Sequence, residues 1–292
     1  MPPLKLTAAN GWLEVSVVGA AIFGTMLGGL LVSPLWLDFG GGLTRSLLAV
    51  GAVYALAVGL NAGLPDSGAR YPASGVHPGR LVRAFGRSVR TLARDRLGGL
   101  SLAVTTLFWG VGATLQMAVL AWAEWRLGLG LDRAVTLQAA VALGVVVGAT
   151  VAGRCIDLPR AIRVLPMGVL LGLLVMAGAA APTLGWALPL LALLGAVGGV
   201  LVVPMNALLQ HRGYQLLSAG RSIAVQGFAE NLSVLLMLAG YAGLLAAGVP
   251  ILWLMVGFGA AIALFMALLV WRSAAPRPAA TAARPSAPAQ TP

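Results

Sequence analysis

Residues Val164 to Leu209 read VLPMGVLLGLLVMAGAAA, then PTLG, then WALPLLALLGAVGGVLVVPMNALL. Two apolar runs, each near the ~20 residues that one helical crossing of a bilayer requires, are separated by Pro182, Thr183, Leu184 and Gly185 alone. So short a polar break allows only a tight turn, which makes the two helices antiparallel neighbours. The same reading extends outward in both directions. It gives spans near 12 to 33, 43 to 64, 98 to 124, 135 to 153, 164 to 181, 186 to 209, 219 to 247 and 250 to 272. The last two join through Gly248, Val249 and Pro250 and are expected to pair in the same way.

The whole composition agrees. Over 292 residues the chain is 59% hydrophobic and 9% charged, with a mean hydropathy of +0.93. Soluble domains carry about 25% charged residues, so a soluble fold is excluded. Thirty-nine glycines and seventeen prolines follow no G-X-Y period, which excludes collagen. The apolar runs are also far longer than the ~10-residue alternating strands of an outer-membrane barrel. The fold class is an all-α polytopic membrane helix bundle with about eight transmembrane helices.

The net charge of +11 invites a nucleic-acid reading, but the basic residues lie between the apolar runs. Sixteen of the nineteen, among them Arg80, Arg83, Arg87, Arg90 and Arg94, fall at the termini or in alternate connections. Arg45, Arg126 and Arg133 fall on the other side. The positive-inside rule therefore puts both termini in the cytoplasm, and no nucleic-acid partner is expected. The opening stretch Met1 to Asn10 is polar and has no signal-peptide pattern. One connection stands apart. Residues 65–97 start with Gly, Pro and Ser and then turn basic, with Val82, Phe85, Val89 and Leu92 at amphipathic spacing, as in an interfacial helix on a cytoplasmic linker. The division is thus two spans in 1–64, a basic linker in 65–97, six spans in 98–272 and a disordered Ala/Pro-rich cytoplasmic tail in 273–292. A six-helix unit of hairpins is half of a major-facilitator bundle.

Few side chains supply chemistry. Cys155 is the single cysteine, and His77 and His211 are the only histidines, so neither a disulfide nor a metal cluster can be assembled. No nucleophile elbow, P-loop or acyltransferase signature is present, so neither enzymatic activity nor a cofactor is expected. Ionisable residues within hydrocarbon cost at least ~2.5 kcal/mol and therefore mark function or a buried partner. Glu14 and Glu124 lie toward span ends and are read as interfacial, whereas Glu230 lies about 16 Å into its span. Gln226 four residues before it and Ser233 three after it share its face, with Asn231 adjoining. This stripe either lines a substrate cavity or locks helices together. Asn206 follows Pro204 and is a further cavity candidate. Gln116 is expected inside, because facing lipid would be costly. Gly24, Gly28, Gly29, Gly195, Gly198 and Gly199 are read as sites of close helix contact. Trp36, Trp122, Trp125, Trp186 and Trp253 are read as an interfacial aromatic belt.

Three ordered blocks carry a family resemblance: TTLFWGVGATL from Thr105 to Leu115, GGVLVVPMNALLQHRG from Gly198 to Gly213, and SAGRSIAVQGFAENLS from Ser218 to Ser233. Together they resemble the bacterial lysophospholipid transporter family of the major facilitator superfamily, and Ala9 to Glu14 with Gly28 and Gly29 is similar to the entrance of that family's fifth helix. The resemblance implies a major-facilitator type bundle in which this chain corresponds to helices five to twelve of twelve, with the first four lacking. It also implies movement of lysophospholipid, chiefly lysophosphatidylethanolamine, across the bacterial inner membrane for reacylation, with an acyltransferase/acyl-ACP synthetase as functional partner and membrane lipid as surroundings. Under this reading Glu230, Gln226 and Asn231 would meet the ammonium headgroup, and Asn206 or Gln116 the phosphate or glycerol hydroxyl. The alternatives are a small-molecule or drug exporter of the same superfamily and a non-transporting membrane fragment.

Overall fold

A computed structural model describes residues 5–31, 33, 36, 42–64, 68 and 77–274. It is an all-α bundle whose helices are α1 (Leu6–Leu31), α2 (Gly42–Ala62), α3 (Pro78–Arg94), α4 (Arg96–Leu127), α5 (Leu131–Cys155), α6 (Leu165–Ala179), α7 (Leu184–Leu216), α8 (Ala219–Ala246) and α9 (Ile251–Ala274). A 3-10 turn, Leu158–Val164, leads into α6. Among the described residues eight helices are long and apolar enough to cross a membrane, in the eight places the hydropathy indicates. Helix α3 is the amphipathic segment of the linker. The start of that linker (65–67 and 69–76) and the tail 275–292 lie outside the described residues.

Small residues set the packing. On α5, Gly144 and Gly148 press against the carbonyls of Ala192 and Ala196 on α7. In return Gly195 and Gly199 of α7 meet the carbonyls of Val141 and Val145 on α5. Each helix thus carries a Gly-x-x-x-Gly step that seats the other, and a Cβ at any of these positions would strike backbone. Helices α6 and α9 repeat the device, because Gly172 meets Gly259 O and a Cβ on Gly259 would lie 2.7 Å from Gly172 O. The glycines of α1 behave otherwise. Gly24, Gly28 and Gly29 have no neighbour within 4 Å, so the expectation of close contact fails there and holds for Gly195, Gly198 and Gly199.

Two further expectations are corrected. Helix α9 follows α8 through a short turn yet packs chiefly on α6, since the Gly172/Gly259 step brings those backbones closer than the bulkier α8 surface permits. Trp122 is not part of the aromatic belt. It is 1% exposed, and its indole Nε1 donates to Ala179 O at 3.0 Å, tying α4 to the end of α6. Trp125, Trp186 and Trp253 do lie on the surface. Long helices that are apolar all round, as these are, leave the inward face undefined by pattern alone.

At the end where α3 meets α4, Asp95 performs two tasks. Its Oδ2 accepts from Gly98 N at 2.8 Å, capping α4, and its carboxylate takes two bonds from the Arg212 guanidinium of α7, Nε to Oδ2 at 3.0 Å and Nη2 to Oδ1 at 2.5 Å. The hydrogen bonds from Arg212 are the main reason the Asp95 carboxyl sits below its usual range. Beside it the Arg96 guanidinium donates to Ser273 O at 2.6 Å, so α4 is also fastened to the end of α9.

Candidate functional site

Helix α1 starts at Leu6, six residues before the apolar run suggests, and packs on α5 and α7. A Cβ on Gly11 would lie 2.9 Å from Ala149 O and 3.1 Å from Gly153 Cα, so only glycine permits this approach. Asn10 and Gln210 lock the same contact by exchanging two hydrogen bonds, each 3.0 Å. Gln210 is therefore a clasp between α1 and α7.

This docking carries Glu14 inward. It is 7% exposed and lies within electrostatic reach of Glu230 on α8. The sequence reading put Glu14 in a first turn at the interface; with the helix begun earlier it falls in the third turn, on the protein-facing side. The signal lay in Thr7, Asn10, Gly11 and Glu14, small or polar residues at three- and four-residue spacing.

On the facing helices, Gln226 Nε2 donates to Glu230 Oε1 at 2.9 Å and to Asn206 Oδ1 at 3.2 Å. Gln226 and Glu230 are one turn apart, as their spacing requires, and Asn206 enters from α7 two residues beyond Pro204. Pro204 has no N–H to give the carbonyl four residues back, which loosens the helix at this level. Three of the five candidate residues are thus joined in one hydrogen-bonded set, and Glu14 lies within electrostatic reach of Glu230. Gln226 Oε1 and Asn206 Nδ2 have no protein partner among the described residues.

The other two candidates lie elsewhere. Asn231 is exposed and returns its Nδ2 to Gly227 O at 2.7 Å on its own helix, since one residue beyond Glu230 means a turn of about 100° away from that face. Gln116 is exposed, not inside, and its backbone carbonyl accepts from Gln138 Nε2 at 3.0 Å. That bond spans α4 and α5 on the surface and uses the Gln116 backbone, while its side chain is exposed. Ser233 packs on Gly110 of α4 and serves helix contact.

The assembled site holds two carboxyls and two amides, and none of its members forms an ion pair among the described residues. No group of three metal-binding side chains occurs among those residues either. Such a set attracts a cationic head and offers one amide donor and one amide acceptor beside it.

Comparison with known proteins gives a consistent set of relatives. The chain is 37% identical over 270 residues to "Lysophospholipid transporter LplT" of Citrobacter koseri, 39% over 269 residues to the protein of the same name in Klebsiella pneumoniae, and 37% over 270 residues to that of Escherichia coli. These alignments cover 91% to 92% of this chain and 66% of each relative, so the chain spans about two thirds of their length. No family model matches.

Proposed function

Because the chain belongs to the lysophospholipid transporter family, we propose that it moves lysophospholipid of the lysophosphatidylethanolamine type across the bacterial inner membrane. Glu230, held by Gln226 and within electrostatic reach of Glu14, supplies negative charge for an ammonium headgroup. Asn206 Nδ2 supplies a donor for phosphate or a glycerol hydroxyl. The single acyl chain lies along the apolar surface of α8, where Leu235 and Leu236 are exposed. The role is non-catalytic, and the delivered lipid serves as substrate for an acyltransferase/acyl-ACP synthetase. Both termini lie in the cytoplasm, residues 1–64 belong to the first half of a major-facilitator architecture, 98–272 form the second, and 65–97 link them.

The observation that carries this reading is Glu230 beside Gln226 and Asn206 at mid-span, with the buried Glu14 within electrostatic reach. Interhelical glue needs no second carboxyl, because two like charges weaken packing. Uptake of labelled lysophosphatidylethanolamine into spheroplasts that carry the chain tests it. Glu230→Gln is expected to lower uptake at unchanged protein level, and unchanged uptake discards the site. Outward movement of a drug with no lipid uptake would favour an exporter.

A further inference from the structure

Helix α3 carries two faces of opposite chemistry over its 17 residues. At about 100° per residue, Arg80, Arg83, Arg87, Arg90 and Arg94 fall within one arc of about 80°. Leu81, Val82, Phe85, Val89 and Leu92 fall within an arc of about 100° on the far side. All five arginines are exposed, no Asp or Glu occurs between Pro78 and Arg94, and none of the five forms an ion pair among the described residues. Five charges on one side of the helix are thus unanswered by protein.

The apolar face rests on the bundle at one end only. Leu92 is fully buried in a cluster with Leu102, Leu209 and Val225, one residue each from α4, α7 and α8. Phe85 meets Phe228 of α8 edge-on, with ring centroids 5.2 Å apart. Beyond Phe85 the same face continues while the bundle does not, so Leu81 is 48% and Val82 71% exposed. The seat also sets the level of the helix. At 1.5 Å per residue α8 is about 42 Å long, so a hydrocarbon layer of ~30 Å centred on it begins about 6 Å from Ala219. Phe228, about 14 Å from that end, lies inside the layer. Phe85 therefore holds α3 beside the edge of the hydrocarbon, where arginine side chains reach headgroups.

An uncovered apolar strip and an uncovered arginine row on opposite sides of one helix are satisfied together at a surface with hydrocarbon on one side and anions on the other. We propose that the α3 arginine face binds the anionic glycerophospholipid headgroups of the adjacent leaflet, with Leu81 and Val82 dipping into the acyl region. An acidic soluble protein would pair the arginines but leave Leu81 and Val82 in water. A purely zwitterionic bilayer would cover the apolar strip but bring no net charge to the arginines. This surface is separate from the Glu230 site, and its lipids are held by charge at the membrane surface, not in a pocket.

The test is hydrogen exchange of the purified full chain in nanodiscs of phosphatidylcholine alone or of phosphatidylcholine mixed with phosphatidylglycerol. Amides of residues 81–87 are expected to exchange at least about tenfold more slowly in the mixed nanodiscs, since an anionic surface is worth about fivefold per basic residue. R80Q/R83Q/R87Q abolishes the slowing, and so does salt at about 1 M, which shortens the screening length to about 3 Å. Val82→Gln keeps every charge and weakens the slowing, whereas Glu230→Gln leaves it unchanged. The three arginines and Val82 are exposed, so folding is preserved, and unaltered exchange in α5 and α7 verifies it. A photocrosslinking residue at position 82 should capture lipid in native membranes. Equal exchange in the two nanodiscs, slowing that survives R80Q/R83Q/R87Q or high salt, or capture of a protein and no lipid at position 82 would each overturn the proposal.

Discussion

The α5/α7 pair and helix α8 solve the same problem in opposite ways. Both lie in a medium where helix association gains nothing from expelling water. The pair answers with glycines, so that Gly144, Gly148, Gly195 and Gly199 bring backbone against backbone and leave no room for change. Helix α8 packs on α4 along one side but leaves most of its surface open, with Ser222 and Val225 its only buried residues among those described, and it carries the Gln226 and Glu230 side chains. Close contact dominates the pair and polar equipment dominates α8, while α7 also lends Asn206 to the site. A binding helix needs a face that can be reached, whereas a scaffold pair needs one that cannot.

Substitutions sharpen this contrast in descending order. Gly148→Val should cost about 3 kcal/mol or more, because the new side chain meets the Ala196 carbonyl and neither backbone can retreat. Loss of folded protein in detergent extracts or a lower Tm would register it, and a wild-type melting curve would break the comparison. Trp122→Phe removes the donor to Ala179 O and leaves that carbonyl buried, at about 1 to 3 kcal/mol by the same measurement. Glu230→Gln should leave the melting curve almost unchanged while lipid uptake falls about tenfold or more, the worth of a charge-assisted hydrogen bond. If its effect falls on stability alone, α8 belongs with the scaffold.

Smaller effects test the joints. Asp95→Asn keeps a capping oxygen for Gly98 but gives up the charge that holds Arg212, whereas Asp95→Ala loses both and should cost about 1 kcal/mol more. The pH dependence follows from the depressed carboxyl. Its contribution is complete above the ordinary aspartate value, near ~3.9, and is lost as pH falls through the lower folded-state value. Acid titration of Tm in wild type and Asp95→Asn should therefore differ above that range and converge below it. Gly28→Ala, in open space on α1, should change Tm least, by less than about 1 kcal/mol in either direction.

What the sequence discloses divides along the same lines. Crossing number and approximate ends depend on length and apolarity, which each segment carries by itself. The Gln226/Glu230 pairing was legible because both residues lie on one helix at a fixed spacing, and α3 because its arginines contrast with its apolar face. Contacts between helices were not legible. Gln116 was expected inside on cost alone, yet it lies at the surface, where Gln138 of the neighbouring helix bonds its backbone carbonyl and not its side chain. Glu14 was misplaced because the start of α1 is set by docking at Gly11 and Asn10, not by the first apolar residue. Trp122 and α9 fall in the same class, since uniformly apolar helices announce depth in the membrane but not direction.

The Asn10/Gln210 clasp separates mechanical attachment from electrical state. Its two bonds join uncharged amides, so neither acidity nor salt acts on them directly, whereas Glu14, one turn along α1, and Glu230 on α8 are carboxyls. A change of charge in the site therefore need not loosen the clasp that holds α1 in place.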